Sequence, residues 1–245
     1  MANILDKYGI KEVADVFFYE IQPDGSRGEP VLYLDTLKVS TIEQTAEQTE
    51  AKGGKGNPPL IIWDYGKEIN VTLEDALFSM KSLSIMFGNG TANSTNKKII
   101  KTYPVSAIKD SEGAKPIIVD NGVTIDLTTV KEEYKGKNFV TVELTAENAD
   151  SIDISANTFP GTYYVVGDTY SRSQATGKDE FFQFIINKAK VSSENTITME
   201  AEGDPSVFNM NLRVLRGADG QMMKLVKYGF AAGEVKAASA TSSIG

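Results

Sequence analysis

The sequence of 245 residues contains no cysteine and no histidine. Without cysteine, disulfide bonds and thiolate metal sites are excluded. Histidine is the commonest metal ligand and the usual general base near neutral pH, so its absence also removes Ser-His-Asp and Cys-His catalytic sets. Catalysis would have to use carboxylates, lysines, tyrosines or serines alone. These absences make catalysis less expected without excluding it, and we assign no catalytic residue, no cofactor and no metal site.

The charge and the hydrophobic runs exclude two further classes of partner. A net charge of −8 argues against a protein that grips nucleic acid by neutralising phosphates. No apolar run approaches the roughly 20 residues that span a bilayer, so no membrane partner is expected. Charges at Asp6, Lys7, Lys11 and Glu12 interrupt the first segment, which predicts a soluble, intracellularly made protein without a secretory signal.

What the sequence does contain is a series of short β signals, and its 41% of hydrophobic residues is ample for a core. Residues 13–21 and 31–39 are rich in β-branched and aromatic residues and flank a turn-forming segment, which predicts a hairpin. Further strands are predicted at 60–71, 116–127, 138–145, 162–166, 181–191, 196–202, 206–215 and 222–228. Such spacing predicts one mainly β domain over 1–230, a β-sandwich or barrel. The small, polar residues 231–245 predict a flexible tail.

The segment 41–59 admits two interpretations. Its glutamates fall at helical spacing, but no apolar stripe accompanies them. Read as a strand, the segment places alternate residues on one face, namely Thr41, Glu43, Thr45 and Glu47. We favour an extended, largely solvated arm that returns through 60–71. Trp63 and Tyr65 in that return are typical of core or interface anchors.

One amphipathic helix is predicted over 72–87. Thr72 can cap its start, and Gly88 can end it in the left-handed conformation. The apolar stripe that defines the core face of this helix consists of Leu73, Leu77, Met80, Leu83 and Phe87. Leu77 is therefore expected to be buried.

The run AKGGKGNPP at 51–59 raises the question of a phosphate-binding loop. A Walker A loop requires G-x-x-x-x-G-K-[ST] between a strand and a helix, whereas here Pro58 and Pro59 precede a strand. The run is therefore predicted to be the tip of a long hairpin. The tip residues are Lys52, Gly53, Gly54, Lys55, Gly56 and Asn57.

With these elements in place, the chain resembles the major tail tube proteins of tailed bacteriophages. The resemblance is carried by KVSTIEQTAEQTEAKGGKGNPPLIIWDYGKEINVTLEDALFSMKSL, TFPGTYYVVGDTYSR, GKDEFFQFIINKAKV and TITMEAEGDPSVFNMNLRVLR. These segments cover about two thirds of the chain and leave residues 89–150 unmatched. The unmatched, glycine- and asparagine-rich region is expected to be irregular up to 115. It is either an insertion that decorates the outer wall or a part of the main sheet.

The resemblance implies a β-sandwich or barrel with a flanking helix at 72–87. It also implies six-subunit rings that stack into a tube, with residues 52–57 as the loop that reaches the next ring. Implied partners are the chain itself, the tape measure, terminator and baseplate or tip proteins, and a sheath where the tail has one. DNA would pass only transiently through the lumen, which the face of Thr41, Glu43, Thr45 and Glu47 would line or approach. The location would be the virion tail, after synthesis in the host cytoplasm.

Two other functions remain open at the level of sequence. A bacterial surface or pilus-like β-sandwich binding protein would need export, which the first residues do not provide. A glycosidase that uses two carboxylates would need them on opposite sides of a cleft, which the sequence does not exclude.

Overall fold

The computed structural model describes residues 7–10, 12–88, 93–110, 115–130, 133–194, 197, 207–217 and 219–229, without the side chains of 93–97 and 147–149. The predicted tail at 231–245 and most of the predicted strand at 196–202 lie outside these residues. The described part of the chain is mainly β with one α-helix, as predicted. Its strands are β1 (Tyr8–Ile10), β2 (Asp15–Ile21), β3 (Arg27–Leu34), β4 (Leu37–Lys52), β5 (Pro59–Asp75), β6 (Asn93–Pro104), β7 (Lys109–Asp110), β8 (Pro116–Asp120), β9 (Val123–Asp126), β10 (Phe139–Ser151), β11 (Thr162–Ser173), β12 (Asp179–Val191), β13 (Phe208–Val214) and β14 (Lys224–Tyr228). The helix is α1 (Met80–Phe87).

The chain forms two compact units. The first contains residues 1–92 and 152–245, and the second is Asn93–Ser151. The first unit holds a nine-stranded sheet in the order β3-β2-β11-β12-β13-β5-β4, with β1 beside β11 and β14 beside β12. Strands from both ends of this sheet contribute to one core, so the sheet folds over itself as a sandwich and does not close into a barrel. Core residues include Phe18, Val71, Val165, Ile186 and Leu212.

The predicted helix begins too early. Thr72 and Leu73 belong to β5, where Val71 and Leu73 are fully buried on alternate positions and β13 pairs alongside. Asp75 then ends the strand, because its carboxylate accepts hydrogen bonds from the Thr36 hydroxyl and from the Leu77 N–H (3.2 Å). The prediction was wrong because the apolar residues of this segment are buried at every second position, as in a strand. Their three- and four-residue spacing, which suggested a helix, is accidental.

The helix begins at Met80, not at 72. Ser79 caps it: Ser79 Oγ accepts from the Ser82 N–H (3.0 Å), and Ser82 Oγ accepts from the Ser79 N–H (2.9 Å). Leu83 packs against the core beside buried Ile85 and Met86, whereas Leu77 precedes the helix and is 64% exposed. The predicted end is confirmed, since Gly88 adopts φ 82°.

The second unit corrects the expectation of irregular structure at 89–115. β6 pairs antiparallel with β10, and β7, β8 and β9 form a small three-stranded sheet. The segment predicted as one strand at 116–127 is a hairpin, because Asn121 (φ 47°) and Gly122 (φ 81°) form a two-residue turn. Buried side chains from both sheets make a separate core, consisting of Ile118, Ile125, Leu127, Val140 and Val142.

Candidate functional site

The most prominent surface feature of the first unit is the β4–β5 hairpin. Its strands pair from Leu37 opposite Asp75 to Lys52 opposite Pro59. Pairing of β5 with β13 covers only residues 70–75, so in the described part of the chain the outer hairpin is a two-stranded ribbon. At about 3.3 Å per residue, the ribbon extends roughly 30 Å beyond the sheet. The extended arm that the sequence favoured over a helix is confirmed.

The tip lies where the sequence placed it. Gly53 N–H donates to the Pro58 carbonyl (3.2 Å), and Asn57 N–H donates to the Gly54 carbonyl (3.1 Å). Gly54 and Gly56 have φ values of 83° and 86°, which glycine adopts without strain. The glycines of this run therefore form a turn between two strands.

The ribbon exposes a run of large apolar side chains. We call residues 47–65 the arm. Its apolar residues are between 51% and 64% exposed, and they are Leu60, Ile61, Ile62, Trp63 and Tyr65. Because side chains of a strand alternate, Ile61, Trp63 and Tyr65 lie on one face and Leu60 and Ile62 on the other. Both faces of the arm thus present apolar surface, so the core interpretation of Trp63 and Tyr65 does not hold within this chain.

A change of register separates the arm from the rest of the hairpin. Thr45 pairs with Glu68, but Glu47 pairs with Tyr65, so β5 contains one extra residue at this point. Gly66 occupies the bulge with φ 60°. On the arm side of the bulge, all of residues 59–67 are exposed, whereas every second residue from Ile69 to Asp75 is buried. The bulge therefore marks where the sheet ends and the arm begins.

Between the bulge and the start of β4, the hairpin carries a polar face. Glu43 lies opposite Asn70, and Thr41 opposite Thr72. On the alternate face, Val71 is fully buried, whereas its partner Ile42 is 40% exposed. Thr41, Glu43 and Thr45 are exposed on this outward face. Glu47, predicted to belong with them, lies past the bulge and opposite Tyr65.

Two basic side chains near this polar face have polar partners within the chain. Arg213, on neighbouring β13, forms an ion pair with Glu68. Lys190 lies opposite Arg213 in the sheet and donates to the Pro160 carbonyl. Glu43 is thus exposed to solvent in a region where Arg213 and Lys190 already have partners.

Neither a metal site nor a membrane-spanning helix is present in the part of the chain that the structure describes. Among those residues, no group of three or more acidic side chains could hold a metal ion. Likewise, none of the described helical residues forms a helix with the length and hydrophobicity needed to cross a membrane.

These elements define a mainly β protein, in which a sandwich carries a projecting ribbon and a polar outer sheet face. The sequence profile of the YomU/Tube protein family matches residues 8–111 and 90–225. The chain therefore belongs to this family. The matches include the region 90–150, which the resemblance by sequence did not cover.

A relative supports the same assignment. The tail tube protein of Bacillus phage SPR is 29% identical to this chain over 90 residues, which are 37% of this chain and 32% of the relative. The match thus spans about a third of the relative's length.

Proposed function

We propose that the protein is the repeating structural subunit of a phage tail tube, assembling into stacked hexameric rings whose channel delivers DNA into the host. The observation that carries this proposal is the arm, whose apolar side chains are exposed on both faces in the single chain. A projecting ribbon of this length adds little to the stability of a monomer but costs conformational entropy to order. Contacts with other copies would offset that cost. The role is structural, without catalysis.

The polar face supports a channel for DNA. Duplex DNA carries about one negative charge per 1.7 Å of axis, so a basic wall would bind it and an acidic wall would let it slide. Thr41, Glu43 and Thr45 offer hydroxyls and a carboxylate on one outward face. Six-fold repetition would turn Glu43 into a ring of six carboxylates. We assign this face to the lumen.

The remaining parts of the proposal concern the tip and the second unit. Residues 52–57 form the stacking loop that meets the next ring. Residues 93–151, which have their own core, are an insertion that decorates the tube and is not needed for its assembly. Further partners are the tape measure, terminator and baseplate or tip proteins, with a sheath in a contractile tail. The protein is made in the host cytoplasm and functions in the virion.

Negative-stain electron microscopy of the purified full-length protein tests this function. Tubes or six-fold rings are expected, and their fraction should rise with protein concentration. Monodisperse monomers at every concentration and ionic strength would contradict the proposal. A surface-binding β-sandwich, the alternative left by the sequence, would give that second result.

A further inference from the structure

A second apolar surface of the first unit lies next to the end of β5. Leu77 is 64% exposed and Phe78 is 52% exposed, although both lie close to the end of β5 at which alternate residues are buried. The ring of Phe78 contacts that of Phe208 at the start of β13, with 4.4 Å between the centroids. We call Leu77, Phe78 and Phe208 the base patch.

The arm and the base patch lie at opposite ends of the same strand. Residues 60–65 of the arm open β5, and Asp75 closes it two residues before Leu77. A strand of 17 residues spans roughly 55 Å at about 3.3 Å per residue. The arm therefore cannot reach the base patch of its own chain, while a copy displaced along the strand direction could bring its arm onto that patch.

The geometry also fixes the kind of contact. The arm and the base patch are different surfaces, so a contact between them is heterologous, and a heterologous contact that does not close upon itself propagates without limit. A stack of identical rings requires such a contact between each ring and the next. Two different apolar surfaces at opposite ends of one strand can form such a propagating contact.

We propose that the arm of each subunit docks on the base patch of a copy in the adjacent ring, with Ile61 and Trp63 against Leu77 and Phe78. This inference rests on the proposed function and adds the acceptor surface that receives the arm. The occupant of the base patch is thus a second copy of this chain. The tip at 52–57 then lies beyond the patch, deeper in the neighbouring ring.

Site-specific cross-linking tests the contact directly, because the chain has no cysteine of its own. A full-length variant carrying Ile61→Cys with Leu77→Cys is assembled and treated with a short bifunctional maleimide. Since every subunit would link to a copy on each side, denaturing gels should show a ladder of covalent oligomers. The matched control carries Ile61→Cys with Leu225→Cys, another exposed apolar position, and should remain largely monomeric.

The single variants distinguish a heterologous contact from a symmetric one. Ile61→Cys alone and Leu77→Cys alone should give no cross-linked dimer, whereas a co-assembled mixture of the two should give dimers without longer products. Dimers from either single variant, or no ladder from the double variant in tubes that are visible by microscopy, would overturn the inference. The tube function would stand in that case. Wild-type protein that forms no rings would overturn both.

Trp63 provides a second measurement, since it is the only tryptophan of the chain. Its emission should shift to shorter wavelength, and its quenching by acrylamide should fall, when rings stack into tubes. Leu77→Asp should leave single rings intact, prevent their stacking and keep Trp63 as quenchable as in the unstacked protein. Normal tubes from Leu77→Asp with a fully shifted Trp63 emission would exclude the base patch as the acceptor.

Discussion

Glu47 on β4 lies directly opposite Tyr65 on β5, one step past the bulge at Gly66. The same face of β4 carries Thr41 and Glu43 on the other side of the bulge. One strand face thus meets polar neighbours beside the sheet and aromatic neighbours on the arm. The bulge separates a surface suited to solvent from a surface suited to another protein chain.

The tip can be removed to separate folding from stacking. Replacing residues 52–57 with Asn-Gly, which leaves a five-residue connection between the paired residues Ala51 and Ile61, should leave the melting temperature of the subunit within a few degrees of wild type. The exposed tip contributes little within one chain. Long tubes should be lost while rings remain, as judged by negative-stain microscopy. Tubes of normal length from this variant would remove the stacking role of the tip.

Leu73 and Leu77 form a matched pair that tests where the helix begins. Leu73 is fully buried in β5, so Leu73→Asp should cost about 3 kcal/mol or more of unfolding free energy. Leu77 is 64% exposed, so Leu77→Asp should change stability by no more than about 0.5 kcal/mol. Denaturant unfolding measures both. Equal, large losses of unfolding free energy in the two variants would instead support a helix over 72–87.

The same two residues show what sequence patterns could and could not predict. Leu73, Leu77 and Met80 satisfy a helical spacing, but Leu73 also continues the alternation of Ile69 and Val71 in a strand. Whether this segment forms a helix or a strand depends on β13, which pairs with residues 70–75 although it lies far from them in the sequence. The helix end was predictable because Gly88 acts locally, through its own backbone conformation.

The second unit shows a missed local signal. Asn121-Gly122 between apolar residues is a strong indicator of a two-residue hairpin, and it was available in the sequence. β6 was harder to predict, because it pairs with β10 alone and one face of that pair is exposed. Ile100 on this face is 72% exposed, whereas Val142 on the other face is buried.

For the candidate site, the period of two was sufficient to place Thr41, Glu43 and Thr45 on one face. It was not sufficient to separate Glu47 from them, since the bulge lies on the partner strand at Gly66. Nor could it show that Trp63 is exposed. Apolar strand residues that serve a contact between chains have the same composition as those that serve a core, so burial decides between them.

Gly88 and Gly54 have nearly equal backbone angles, φ 82° and 83°, but they differ in the space that a side chain would have. A Cβ at Gly54 would have no atom within 4 Å, so Gly54→Ala should cost about 1–2 kcal/mol, the usual penalty of a left-handed alanine. At Gly88 the Cβ would lie 2.2 Å from the Phe159 carbonyl carbon. Gly88→Ala should therefore be clearly more destabilising in urea unfolding. Equal midpoints for the two variants would contradict the close approach of 159–160 to the helix end.

Asp120 in the second unit should show a pH-dependent contribution to stability. Its carboxylate accepts hydrogen bonds from the Lys101 ammonium and the Tyr103 hydroxyl (2.8 Å), which lower the pKa of Asp120 below its usual value. Because the folded pKa is depressed, the stabilisation is present above the unfolded pKa of about 3.9 and is lost as the pH falls through the folded value.

Carbon-detected NMR titration measures this pKa directly. Lys101→Met should raise the pKa of Asp120 toward that of an unfolded aspartate. Lys98→Met is the control, since Lys98 pairs with Glu143 (2.6 Å), and it should leave the Asp120 titration in place. An Asp120 titration that Lys101→Met does not move would contradict the ion pair.

The last prediction separates the two halves of the predicted lumen face by charge. Glu43→Lys places a cation on the polar half and changes the charge by about +2 per subunit, hence about +12 per six-fold ring, which should attract the phosphate backbone of passing DNA. Tubes should still assemble, because Glu43 is exposed and lies opposite the neutral Asn70. Genome ejection should be slowed, more at low salt than at high salt, since screening shortens the reach of the added charge.

Glu47→Lys is the matched variant. It makes the same charge change four residues further along β4, on the same face of the strand. Because Glu47 lies opposite Tyr65 on the arm, this substitution should impair stacking more than transit. Phage carrying each variant are compared by tail length in micrographs and by ejection time in vitro at two ionic strengths. Glu43→Lys phage with normal tails and wild-type ejection at both salt concentrations would place this polar face outside the lumen, since about twelve added charges per ring could not leave a DNA-bearing wall unaffected.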